Sequence, residues 1–125
     1  MKIGVTSTGE NLDAEIDQRF GRCKYFIIVE TESMEFETIS NENAMTAGGA
    51  GIQAAQTIAK KGVQAVITGN VGPNAFQTLS AAGIRVYTNV IGSVREAIDK
   101  CKNGELKETE GPNVASHSGA RRLNP

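Results

Sequence analysis

The chain has 125 residues, 39% hydrophobic and 22% charged, with 13 basic against 14 acidic side chains. That length fits one domain able to bury roughly two-thirds of its unfolded surface, so folding needs no disulfide or metal. A net charge of −1 gives no chain-wide attraction to nucleic acid or an anionic membrane, and two cysteines with one histidine exclude a zinc finger within one chain.

Glycine is the one compositional excess, at 14 residues, while aromatics make up only 5%. That balance points to tight turns and close backbone approaches. Met1 is followed by a polar turn at Ser7-Thr8-Gly9 and not by the apolar run of a signal peptide. No stretch reaches the ~20 apolar residues of a membrane span. Two cysteines without an export signal lead us to expect a cytoplasmic, reducing setting.

In chain order, Ile3 to Thr6 is a short first strand, and Lys24 to Glu30 is a nearly continuous apolar run that predicts a central strand. The polar stretch between them, with Asp13, Glu15 and Asp17 alternating, is expected as an ordered loop with a solvated acidic face. Met34 to Ser40 alternates as an edge strand, joined to the second through Thr31-Glu32-Ser33 as a hairpin. After a polar loop, Ile52 to Lys61 has helical spacing and stops at Gly62 behind two lysines. Ala65 to Thr68 is a buried strand, a helix begins near Pro73 and stops at Gly83, and Ile84 to Tyr87 is the last strand. Ser93-Val94-Arg95-Glu96 is a capping box ahead of a helix that stops at Gly104.

Gln56-Thr57 before Gly62-Val63 is echoed 21 residues later by Gln77-Thr78 before Gly83-Ile84. Consecutive helix–strand units of this kind imply parallel strands with helices on both faces of the sheet. The fold class expected is α/β: a three-layer α/β/α sandwich on a mixed five-stranded sheet. Residues 1–107 form one domain, and the polar residues 108–125 are expected as a flexible tail.

Two glycine clusters open helices: Gly48-Gly49-Ala50-Gly51 and Gly69-Asn70-Val71-Gly72-Pro73-Asn74. Free N–H groups and the positive dipole end at a helix start favour an anion, and both clusters fall at the carboxyl edge of the sheet. The alternative is that they are turn glycines and nothing more. Gly49 to Ala54 matches a dinucleotide fingerprint in letters, but it does not follow the first strand, and no acidic residue stands about twenty residues on. With no Gly-Lys-Ser/Thr either, NAD and ATP are set aside.

Cys23 follows Phe20-Gly21-Arg22 and has two readings: a thiolate favoured by Arg22, or a small buried hydrophobe. Cys101 lies on the buried stripe of the last helix. Arg19, Arg22 and Lys24 make a cationic cluster suited to an anion. His117, the single histidine, lies in the tail, and no catalytic acid–base set can be assembled.

Ile3-Gly4-Val5, Phe20-Gly21-Arg22 with Tyr25 to Val29, Gly48 to Gly51, Ala65 to Ala75 and Ala82 to Tyr87 together resemble the dinitrogenase iron–molybdenum cofactor biosynthesis (nitrogenase accessory factor) family. The resemblance implies a ribonuclease-H-like motif with strand order 3-2-1-4-5 and the second strand antiparallel. It also implies a non-enzymatic protein that holds or shuttles an iron–sulfur or iron–molybdenum cofactor or its precursor, with other cofactor-assembly proteins as partners. The candidate cofactor-binding residues are Arg22, Cys23, Gly48, Gly49, Gly51, Gly69, Asn70, Gly72 and Asn74. Arg19 and Met45-Thr46-Ala47 stand where many members of that family carry histidines, which removes two neutral nitrogen ligands. The alternative function is an interaction or regulatory domain that meets a protein or a small anion without metal.

Overall fold

The computed structural model describes residues 1–41 and 50–114. Five strands and three helices follow one another: β1 Lys2–Ser7, β2 Tyr25–Glu30, β3 Phe36–Ser40, α1 Ala50–Lys60, β4 Ala65–Ile67, α2 Pro73–Ala81, β5 Arg85–Tyr87 and α3 Val94–Lys102. The sheet order is β3-β2-β1-β4-β5. β1 is antiparallel to β2 and parallel to β4; β2 is antiparallel to β3, and β4 parallel to β5. The order and the single reversed strand are those expected.

The alternation of each strand divides the core between two faces. Phe26, Ile28, Val66 and Val86 pack against Ala54, Ala55 and Ile58 of α1 and Ala75 and Leu79 of α2. Ile3, Val5, Ile27, Val29, Ala65 and Ile67 pack against Val94, Ala97 and Ile98 of α3. Successive side chains of a strand point to opposite faces, which is why the apolar run of β2 feeds both clusters.

Local chemistry sets the ends of the helices. Past α2, Gly83 adopts φ +77, and the N–H of Ile84 reaches back to the carbonyl of Leu79 at 3.0 Å. This left-handed stop suits glycine and turns the chain directly into β5. At α3, Ser93 Oγ accepts from the N–H of Glu96 at 3.1 Å, and Glu96 Oε1 accepts from the N–H of Ser93 at 2.9 Å, the expected capping box.

Two expectations need correction. Met34 does not begin β3: it takes φ 64 and donates its N–H to the carbonyl of Glu30 at 2.8 Å, so it closes the hairpin turn and the strand starts at Phe36. Helix α1 starts at Ala50, two residues before Ile52, inside the glycine cluster. Within the segment expected as a tail, the N–H of Thr109 donates to the carbonyl of Val86 at 2.7 Å, and Asn113 bonds to the loop after β4.

Candidate functional site

The connection between β1 and β2 folds back over the sheet. The N–H of Asp17 donates to the carbonyl of Thr6 at 3.0 Å. The buried hydroxyl of Thr6 is hydrogen-bonded to the carbonyl of Asp17 at 2.6 Å and to the hydroxyl of Thr68 at 2.9 Å. These bonds lay the connection across the carboxyl ends of β1 and β4, which share one edge because the two strands are parallel. There the N–H of Phe20 donates to the carbonyl of Asn70 at 3.1 Å, and Asn70 Nδ2 donates to the carbonyl of Gln18 at 3.0 Å.

Glycine permits the approaches that follow. A Cβ on Gly69 would stand 2.7 Å from Gln18 Cα, and a Cβ on Gly21 would stand 2.9 Å from both Cα and N of Gly51. Gly51 in turn packs close to Ala75, whose Cβ would lie 3.3 Å from an added one, tighter than an ordinary van der Waals contact. The turn Phe20-Gly21-Arg22, the first turn of α1 and the loop before α2 therefore meet at one place. Gly72 caps α2 without any side-chain hydrogen bond, and Pro73 follows it at the first helical position.

The predicted residues divide accordingly. Arg22 is exposed on the turn, Gly51 opens α1, Gly69 and Asn70 lie against the turn, and Gly72 and Asn74 begin α2. The elements that carry these six meet through Gly21 on Gly51, Gly51 on Ala75 and Gln18 on Gly69 and Asn70. Gly48 and Gly49 lie outside the described residues, as do Met45-Thr46-Ala47 and His117.

Cys23 is at 0% exposure among Phe20, Phe26 and Ala54, with Asn41 Nδ2 3.6 Å from its sulfur. Burial pushes its thiol far above the ordinary range, and the nearby charge of Asp17 adds to the shift. Of its two readings, the buried hydrophobe is the one that the geometry supports. Cys101 is half-buried against the α3 side of the core, as expected.

The acidic stretch is only partly the solvated face expected. Asp13 and Glu15 are exposed, but Asp17 is 5% exposed. Its carboxylate accepts from the N–H groups of Arg19 at 3.1 Å and Lys24 at 3.2 Å, and from Arg19 Nε at 3.4 Å. One buried carboxylate thus folds the Phe20-Gly21-Arg22 turn, with Arg19 set beside it at the surface.

Two residues that composition and spacing did not single out complete the edge. Gln18 Nε2 donates to the carbonyl of Val90 at 3.2 Å and ties in the loop after β5. Asn113 accepts the N–H of Val71 on Oδ1 at 2.7 Å, and its Nδ2 lies 3.1 Å from both the carbonyl of Gly69 and Asn70 Oδ1. The N–H of Val71 is therefore already bonded. The only sequence signal for Asn113 is its place behind Gly111-Pro112, a turn pair.

A mixed α/β/α sandwich with glycine loops gathered at the carboxyl edge of its parallel strands defines a small-ligand-binding class of fold. Residues 1–104 match the family model described as dinitrogenase iron-molybdenum cofactor, and the chain belongs to that family. It is 37% identical over 113 residues to an uncharacterised protein of Methanocaldococcus jannaschii, covering 88% of this chain and 92% of that one. Among solved structures it resembles the apo form of the orange protein of Desulfovibrio gigas, with a TM-score of 0.88 and 42% identity, over 90% of this chain and 95% of that one. A NifB-like protein from Thermotoga aligns with a TM-score of 0.73 and 41% identity, over 88% and 98% of the two chains. Among the described residues no helix is long and apolar enough to cross a membrane.

Proposed function

We propose that the protein is a non-enzymatic carrier that holds an anionic metal-cluster cofactor or its precursor at the edge formed by Arg22, Gly51, Gly69, Asn70, Gly72 and Asn74. The observation that carries this reading is the convergence of the Phe20-Gly21-Arg22 turn on the first turn of α1 and the loop before α2. Two helix starts and exposed Arg19 and Arg22 favour negative charge there, and the missing glycine side chains let the turn, α1 and the two loops close on one another around that edge. Membership of an iron-molybdenum cofactor family and the likeness to the orange protein support the ligand class.

The donor chemistry fits a cargo held by charge and backbone better than one bonded through cysteine. Cys23 is buried with a neutral thiol, and among the described residues no group of three or more His, Cys, Asp or Glu is placed to hold a metal ion. Arginine and backbone N–H groups can hold the oxygen or sulfur periphery of an anionic cluster without replacing a metal ligand. Such binding is exchangeable, as a carrier requires.

The test is anaerobic incubation with ferrous iron plus sulfide, and separately with molybdate, followed by gel filtration and elemental analysis. Metal should be retained in a fixed ratio to protein, and the amide resonances of Gly21, Gly51 and Asn74 should move. Replacing Arg19 and Arg22 together by alanine should weaken retention. Metal that elutes away from the intact protein under all of these conditions refutes the reading.

A further inference from the structure

The strap that leaves α3 runs along the outer edge of β5 and ends on the candidate site. Its root is apolar, through Leu106 against the α3 side of the core. Beyond that point its grip is polar. Thr109 donates its N–H to the carbonyl of Val86 at 2.7 Å, and its hydroxyl accepts the N–H of Thr88 at 3.0 Å and pairs with the Thr88 hydroxyl at 2.7 Å. Asn113 then takes the loop: Oδ1 accepts the N–H of Val71, its own N–H donates to the carbonyl of Val71 at 3.1 Å, and Nδ2 faces Gly69, Asn70 and, at 3.3 Å, Asn89 Oδ1.

We propose that residues 108–114 are a displaceable strap that competes with the ligand for the Gly69–Val71 loop, an inference that rests on reading that edge as the binding site. Two observations carry it. The Asn113 carboxamide holds the N–H of Val71 on Oδ1 and lies with Nδ2 on Gly69 and Asn70 of the proposed site, so strap and ligand meet at the same loop. The bonds that close the strap are hydrogen bonds that water can replace on release, and among the described residues no large apolar side chain beyond Leu106 is anchored in the core. A site whose open form is only a fraction of the population binds more weakly by that fraction, so loosening the strap strengthens binding.

Two full-chain variants test this. Asn113→Ala removes the carboxamide from the loop, and Thr109→Ala loosens the strap at β5 without touching the loop. Titration with molybdate, and with ferrous iron plus sulfide, should show both variants binding more tightly than the parent, by about tenfold where the closed strap predominates ten to one. On saturation of the parent chain, the Thr109 amide and the Asn113 side-chain amide should lose protection from hydrogen exchange. Binding that weakens or stays unchanged in both variants, while the parent binds, overturns the strap and leaves the carrier reading standing. If neither parent nor variants bind either probe, the carrier reading fails and the strap with it. Tightening in Thr109→Ala is the decisive arm, because a strap that merely braced the loop would give the opposite sign.

Discussion

The backbone N–H of Lys24 donates to the Asp17 carboxylate at 3.2 Å, across a turn of seven residues. The other oxygen of that carboxylate accepts the N–H of Arg19 at 3.1 Å. One buried side chain thereby fixes both ends of the Phe20-Gly21-Arg22 turn that meets α1 and the loop before α2.

Replacing Asp17 by alanine should therefore be costly. It leaves the N–H groups of Arg19 and Lys24 without their acceptor at a site closed to water on one side. We expect a loss of about 1–3 kcal/mol in urea unfolding. The chemical shifts of Gly21 and Asn70 should move, since the turn and loop are joined through Phe20 and Gln18. A variant as stable as the parent, with those resonances unmoved, would show that the carboxylate does not organise the turn.

A methyl group at Gly21 tests the close approach from the other side. Its Cβ would stand 2.9 Å from the backbone N and Cα of Gly51, atoms that cannot swing away as a side chain could. Gly21→Ala should cost about 1–3 kcal/mol and displace the start of α1. Gly111→Ala, where nothing lies within 4 Å of the added carbon, serves as the control and should change stability by less than about 0.5 kcal/mol. Equal effects at the two positions would mean that the turn and helix do not depend on contact at glycine.

The contrast between these residues shows what was legible in the sequence. Elements whose signals are local came through: the apolar run of β2, the helix stops at Gly62 and Gly83, and the capping box at Ser93. The parallel strands followed from helix–strand alternation, whereas the sheet order came only with the family resemblance. Asp17 was not legible, because it alternates with Asp13 and Glu15 as an exposed residue would. Its burial comes from the register of its N–H on Thr6, eleven residues away. Asn113 was hidden for the same reason. Its partners Gly69 and Val71 lie more than forty residues back, and a carboxamide that bonds at such separation leaves no periodicity to read. Cys23 carried two chemistries equally well on paper, and only its complete burial within the core cluster on the α1 and α2 side of the sheet separates them.

At α3, the reciprocal bonds between Ser93 and Glu96 satisfy N–H groups that the helix itself cannot. Ser93→Ala should cost about 1 kcal/mol. The loss should be visible as faster amide exchange at Glu96, whose N–H donates to Ser93 Oγ. Because Val94 and Ile98 anchor the helix to the sheet, the fold should survive. An unchanged melting temperature together with unchanged exchange would show that the box contributes nothing.

The thiols give the fold an alkaline limit. Cys23 keeps its proton in the folded protein because burial disfavours the thiolate and the charge of Asp17 adds to that, whereas the unfolded chain releases it near the ordinary thiol value of 9.0. Above that value the unfolded state binds fewer protons than the folded one, so stability falls as pH rises, by up to about 1.4 kcal/mol per pH unit for one thiol. Below it the contribution is fully present. Urea unfolding from about pH 8 to about pH 10 should show this decline, and Cys23→Ala should flatten it. A smaller slope should remain from Cys101, whose thiol is also raised by partial burial. Thiol reagents should label Cys101 before Cys23 in the folded protein, and both at once only in denaturant. If Cys23→Ala kept the full alkaline slope, or if Cys23 reacted first under native conditions, its place in the core as a neutral thiol would be wrong.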